Sequence, residues 1–90
     1  MAIWFKDCTL EQLNLRSKNT MSDHLGIRFI EIGDNFLKAT MPVNEYTKQP
    51  LGILHGGANV VLAETIASTA ANAVLDIDNF YCVGLEINAN

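Results

Sequence analysis

The chain has 90 residues, of which 49% are hydrophobic, and a formal net charge of -4 from six basic and ten acidic side chains. This length allows one small domain, which we place at residues 1–90. The acidic balance excludes the basic face that nucleic-acid binding needs and the basic amphipathic helix of a membrane-surface protein.

The cellular setting follows from what the sequence lacks. No apolar run approaches the ~18 residues of a membrane span, and the first residues do not have the basic and apolar regions of a signal peptide. Cys8 and Cys82 are far apart and belong to no metal-binding motif, so we expect free thiols in a reducing compartment. These features predict a cytoplasmic protein without a metal or a cofactor.

Two short helical turns are predicted near the N-terminus. The stretch Thr9-Leu10-Glu11-Gln12 fits a capping box and predicts a helix, which should fade between residues 17 and 19. Ser22 is expected to cap a further turn, and Gly26 is expected to end it.

An antiparallel hairpin should follow. Residues 27–32 and 36–41 are rich in strand-forming side chains, and the cluster Gly33-Asp34-Asn35 between them is typical of a turn. Two strands joined by so short a turn predict a hairpin. Pro42 indicates that the second strand ends there or lies at an edge.

The longest predicted element is a helix from Gly56 or Gly57 to about Leu75, roughly 28 Å long. It has a continuous apolar arc, rich in alanine, that a sheet could approach closely: Val60, Leu62, Ala63, Ile66, Ala67, Ala70, Ala71, Ala73 and Val74. Residues 80–90 alternate in polarity and predict a strand. A hairpin and one strand are a poor cover for so long a helix, so we expect the sheet to be incomplete.

A carboxylate stands on this mostly apolar helix. Glu64 is expected to be partly buried unless it lies on the solvated side of the helix, which is the simpler interpretation. Ser68 is one turn further on and faces the same way. Its hydroxyl could donate to the carboxylate or to a water beside it, or it could be a plain polar helix residue.

The start of the same helix is a second candidate for chemistry. In His55-Gly56-Gly57, glycines at a helix start let a ligand approach free N–H groups. Such donors can form an oxyanion hole, which stabilises charge on a carbonyl oxygen. The simpler interpretations are a tight turn into the helix and a loop histidine that satisfies backbone groups.

The spacing of these two features predicts an assembly. Gly56 and Glu64 are eight residues apart, about 12 Å along one helix. They are therefore not expected to reach the same reacting carbonyl from one chain. If both act, each site is shared between two copies, which predicts a homodimer with two equivalent sites.

Taken together, these motifs resemble the hotdog-fold acyl-CoA thioesterases. The resemblance rests on Gln49-Pro50 through His55-Gly56-Gly57, on Ala63-Glu64-Thr65 with Ser68, and on the run from Val83 to Asn90. It is closest to the branch that hydrolyses 1,4-dihydroxy-2-naphthoyl-CoA in menaquinone synthesis and to the proofreading thioesterases of enterobactin synthesis.

The resemblance implies an α+β hotdog fold, in which an antiparallel sheet wraps a long central helix. It implies hydrolysis of an acyl-CoA thioester with an aromatic acyl group, by homodimers that pair into homotetramers. Members of the family are longer than this chain, so we expect the last strands to be missing from these residues. The alternatives are a non-catalytic acyl-CoA or acyl-carrier binding protein and an inactive truncated product.

The resemblance also implies roles for individual residues. Glu64 would be the nucleophile or the general base, and Ser68 would support its carboxylate. The N–H of Gly56 would be the oxyanion donor, and Gln49 would place the thioester or the attacking water. His55 would lie near the thioester in an unassigned role. Three further residues are predicted to contact the substrate: Gly52, Gly57 and Thr65.

Overall fold

The computed structural model describes all 90 residues, which form three helices and a two-stranded antiparallel sheet, an α+β architecture as predicted. In chain order the elements are α1 (Leu10–Arg16), α2 (Met21–His24), β1 (Arg28–Ile32), β2 (Leu37–Thr40) and α3 (Gly56–Ala73). No helix combines the length and the apolar composition that crossing a bilayer requires.

The two N-terminal helices begin at identifiable caps. The predicted capping box of α1 is confirmed, because Thr9 Oγ1 accepts from the Gln12 N–H at 3.1 Å and Gln12 Oε1 accepts from the Thr9 N–H at 3.0 Å. The prediction that Ser22 caps α2 is wrong. Thr20 is the last extended residue (φ -111°, ψ 174°), so the helix begins before Ser22. Gly26, with φ 76°, ends the turn as predicted.

The hairpin of β1 and β2 contains a bulge. The register pairs Phe29 with Ala39 and then Glu31 with Lys38, so Ile30 is the extra residue. The extra residue shifts the alternation of β1, and Phe29 is buried while Glu31 lies on the exposed side. There Glu31 Oε1 forms an ion pair with Lys38 Nζ at 3.1 Å.

The core lies between α1 and the hairpin and consists of four side chains that are at most 8% exposed: Leu13, Leu25, Ile27 and Phe29. The strand β2 lies against α3. None of the side chains of α3 is fully buried, because two strands cover only part of its surface. The long helix therefore keeps most of its apolar arc half-exposed.

The predicted strand at residues 80–90 is wrong. Its polarity alternates as a strand requires, but a strand forms only when its backbone pairs with a neighbour. Among residues 81–90 the backbone hydrogen bonds are those of Cys82, whose N–H and C=O both bond to the side chain of Asn72. Residues 82–87, which we call the covering segment, run along α3 without a partner strand.

Candidate functional site

Glu64 lies on α3 with Ser68 one turn away, and the two side chains meet. Ser68 Oγ donates to Glu64 Oε1 at 2.5 Å, and both residues are half-buried. Of the alternatives that the sequence left open for Ser68, donation to the carboxylate is the one observed. Since the bond occupies Oε1, the second oxygen, Oε2, is left to act on a ligand. Glu64 is one of the residues that line an open groove of about 390 Å³.

The covering segment forms another wall around Glu64. Asn72 Nδ2 donates to the Cys82 C=O at 3.0 Å, and Asn72 Oδ1 accepts from the Cys82 N–H at 2.9 Å. Two residues further on, a Cβ placed on Gly84 would lie 2.6 Å from Glu64 Oε1. A side chain at residue 84 would therefore require the carboxylate or the segment to shift.

His55 is the N-cap of α3. Its Nδ1 accepts a hydrogen bond from the Gly57 N–H at 2.8 Å, so the proton of the neutral ring is on Nε2. The exposed Nε2–H remains a donor for a ligand. A Cβ on Gly57 would lie 3.0 Å from the ring of His55, so this glycine makes room for the cap. The proposed contact of Gly57 with substrate stays a prediction.

Gly56 offers a free backbone donor at the helix start. Its N–H has no partner in the chain, as expected for the first residue of a helix. Its φ is not positive, and a Cβ placed there would meet nothing within 4 Å. Neither the backbone nor the packing of this chain requires a glycine at residue 56, so the space above it is available to a ligand or to a second chain.

The loop before α3 holds Gln49 beside this helix start. Lys48 pairs with Leu54 in an antiparallel bridge, and the Gln49 N–H donates to the Ile53 C=O at 2.8 Å. The tip is a turn that requires Gly52 to adopt φ 82°. Gln49 Oε1 accepts from the Leu51 N–H at 3.0 Å, and its amide NH₂ stays free to donate.

Thr47 anchors this loop, and sequence reasoning missed it. It is 1% exposed and is the one buried polar residue of the chain. Its Oγ1 donates to the Pro42 C=O at 2.7 Å and accepts from the Asn44 N–H at 3.0 Å. Its own C=O accepts from the His55 N–H at 2.8 Å. Thr47 thus ties the end of the hairpin to the cap of α3.

Replacing Thr47 with valine is expected to lower the free energy of unfolding by about 1–3 kcal/mol. The substitution keeps the shape of the side chain but leaves the Pro42 C=O and the Asn44 N–H without a partner. Urea unfolding followed by circular dichroism measures the loss. The matched control is Thr40→Val, at an exposed position of β2, where a change within about 0.5 kcal/mol is expected. Equal values for the two variants would contradict the anchoring role.

The predicted site residues fall into two groups. Gln49, Gly52, His55, Gly56 and Gly57 lie in the loop and at the start of α3. Glu64, Thr65 and Ser68 lie about two to three turns along the helix. The groove of about 390 Å³ that Glu64 and Thr65 line includes no residue of the first group.

Asn72 supports the second group, because its side chain holds Cys82 at the start of the covering segment beside Glu64. Sequence reasoning missed this residue as well. Its spacing of four residues from Ser68 was the available signal.

Two kinds of comparison place this architecture among known proteins. No protein-family model matches the chain. Curated relatives do match. The chain is 53% identical over 88 residues to a 1,4-dihydroxy-2-naphthoyl-CoA hydrolase of Escherichia coli, and 49% identical over 88 residues to the proofreading thioesterase EntH of Cronobacter sakazakii. Each match covers 98% of this chain and 64% of the relative. A crystal structure of a Q49A mutant of thioesterase PA1618 from Pseudomonas aeruginosa superposes with a TM-score of 0.95 at 50% identity, covering 99% of this chain and 64% of that one.

The fold is thus the hotdog fold of the thioesterases that the chain resembles, as predicted. The chain is a homologue of the thioesterases of the naphthoyl-CoA hydrolase and proofreading branch, as the resemblance predicted. It spans less than two thirds of the length of the curated relatives that it matches.

Proposed function

We propose that this chain carries the catalytic residues of an acyl-CoA thioesterase. The observation that carries the proposal is the Glu64 carboxylate, which Ser68 holds at 2.5 Å beside an open groove. Hydrolysis needs a group that attacks the thioester carbonyl or activates water, and a fixed carboxylate can do either. Release of free thiol from an acyl-CoA panel tests the proposal, and no release from any member would contradict it.

In the proposed reaction, water replaces the thiolate of coenzyme A on the acyl carbon. Either Glu64 Oε2 attacks the carbonyl carbon and the resulting anhydride is hydrolysed, or Glu64 takes a proton from an attacking water. In both routes charge develops on the carbonyl oxygen, which the free N–H of Gly56 stabilises. A single turnover in heavy-oxygen water tests the routes, because direct water attack always labels the first product. An unlabelled first product, with the label in Glu64, requires attack by Glu64 and hydrolysis of the anhydride at the Glu64 carboxyl carbon.

Each site is proposed to be shared between two copies of the chain. Gly56 and Glu64 lie about 12 Å apart along α3, too far to act on one carbonyl from the same helix. A second copy that supplies its helix start to Glu64 would complete the site, and the twofold symmetry would generate a second one. The open space above Gly56 supports this arrangement.

Mixing two inactive variants tests the shared site. Glu64→Gln removes the carboxylate and Gly56→Pro removes the N–H donor. A mixed dimer would have one site with both defects and one intact site, so co-expression should restore about one quarter of the wild-type activity if pairing is random. Activity that stays at the level of the separate variants would contradict sharing.

The acyl group is proposed to be aromatic, of the 1,4-dihydroxy-2-naphthoyl or hydroxybenzoyl type. The name of the Escherichia coli relative supports this substrate class. A place in menaquinone synthesis, which the resemblance implies, is proposed with it. Comparing thiol release from aromatic and from straight-chain acyl-CoA compounds of similar size tests it. Faster hydrolysis of the straight-chain compounds would contradict the aromatic assignment.

A further inference from the structure

One face of α3 carries three polar side chains at intervals of four residues: Glu64, Ser68 and Asn72. Ser68 Oγ donates to Glu64 Oε1 at 2.5 Å, and Asn72 Nδ2 donates to the Ser68 C=O at 3.0 Å. The same amide bonds to both backbone groups of Cys82. Both polar atoms of the Asn72 side chain therefore have partners, and three hydrogen bonds fix its orientation.

The covering segment depends on Asn72 for its place on α3. Among residues 81–90, the two bonds between Cys82 and Asn72 are the only hydrogen bonds to the rest of the chain. Packing of the side chains that follow adds little, because Val83 is 68% exposed and Leu85 is 96% exposed. One side chain thus supplies the main attachment of the segment.

The segment passes close to one oxygen of the proposed reacting carboxylate. A Cβ placed on Gly84 would lie 2.6 Å from Glu64 Oε1, so the backbone of Gly84 lies against the oxygen that Ser68 also binds. The Ser68 hydroxyl and the Gly84 backbone together confine Oε1. This confinement limits rotation of the carboxylate and so fixes the direction in which Oε2 points.

We propose that Asn72 is a positioning residue: it holds the covering segment on α3, and the segment keeps the Glu64 carboxylate in its reactive orientation. This rests on the proposed function, since it takes Glu64 as the reacting group. Asn72 does not line the groove beside Glu64, so it acts through the segment and not on the substrate. Misplacing a reacting group by about 1 Å can cost on the order of 10²-fold in rate.

The attachment is tested without substrate, by the reactivity of the half-buried Cys82 thiol toward dithionitrobenzoate. Asn72→Leu removes all three hydrogen bonds and should raise the reaction rate by about tenfold or more. A Cys8→Ser background leaves Cys82 as the single thiol. The matched control is Asn59→Leu, at an exposed position of the same helix, which should leave the rate unchanged.

Circular dichroism shows whether each variant is folded. If Asn72→Leu does not fold, Asn72→Asp takes its place, because it loses the two donated hydrogen bonds and keeps the one accepted from Cys82. An unchanged rate in the folded Asn72 variant would overturn the attachment, and with it the positioning role.

A double-mutant cycle with Gly84 tests the effect on catalysis. Gly84→Ala leaves Asn72 in place but puts a methyl group at the contact with Glu64 Oε1. Each single variant should lower kcat for acyl-CoA hydrolysis by about tenfold. The double variant should be at most about threefold slower than the slower single variant, because both changes disturb one contact.

Two results of this cycle would overturn the positioning role in an active enzyme: full kcat in the Asn72 variant, or losses that multiply to about 100-fold in the double variant. The control Asn59→Leu should keep the wild-type kcat. If the wild type hydrolyses no acyl-CoA compound, the proposed function itself fails. The thiol measurement then still decides whether Asn72 holds the segment.

Discussion

Replacing Glu64 with glutamine should lower thioester hydrolysis by at least about 100-fold without unfolding the protein. Glutamine keeps the size of the side chain and an oxygen that accepts the hydrogen bond from Ser68. It cannot attack a carbonyl carbon or take a proton from water, so both proposed routes are lost. The measurement is thiol release at saturating acyl-CoA, together with the circular dichroism spectrum of each variant.

The control for this substitution is Glu11→Gln, a carboxylate lost from the exposed side of α1. It changes the net charge by the same amount as Glu64→Gln but lies away from the groove. Activity close to wild type is expected for the control. If Glu64→Gln retains full activity, Glu64 is not the reacting group.

Replacing Gly56 with proline should reduce kcat by about 10² to 10³-fold, the usual effect of losing one oxyanion-hole donor. The substitution removes one N–H and little else, because proline is tolerated at the first helical residue. His55 already has the extended backbone that a residue before proline needs, with φ -67° and ψ 130°. The ring would enter space in which a Cβ meets no atom within 4 Å.

Alanine at the same position is the matched comparison for proline. Gly56→Ala adds a methyl group but keeps the N–H, so it should keep much more activity than Gly56→Pro. Equal losses in the two variants would mean that the site needs the space above the glycine and not its donor. Full activity of the proline variant would exclude Gly56 as the oxyanion donor.

Local signals in the sequence were enough for the elements that form by local interactions. The capping box at Thr9 involves residues three positions apart, and the turn at residues 33–35 joins strands that are neighbours along the chain. The start of α3 was predicted at Gly56 or Gly57, and the helix begins at Gly56. The hydrogen bond between Ser68 and Glu64 follows from a spacing of one helical turn.

Interactions between distant residues were not predictable in this way. The alternation of residues 80–90 indicates a strand, but pairing depends on a neighbour that alternation cannot supply. Instead Asn72 holds Cys82, ten residues away, by two hydrogen bonds of its side-chain amide. Thr47 resembles any loop threonine in the sequence, and only the structure shows that it is buried and bonded to Pro42, Asn44 and His55.

The sequence by itself determined the hairpin, the long helix and the shared helix face of Glu64 and Ser68, because each depends on neighbours within a few residues. The tertiary structure decided how these groups are supported and what surrounds them. It placed Gly84 against the carboxylate and anchored the loop of Gln49 through Thr47. It also placed Ser22, Thr65 and Thr69 around one cavity, with Leu13 and Arg16 of α1. Such contacts join residues that are remote along the chain, so only the folded molecule brings them together.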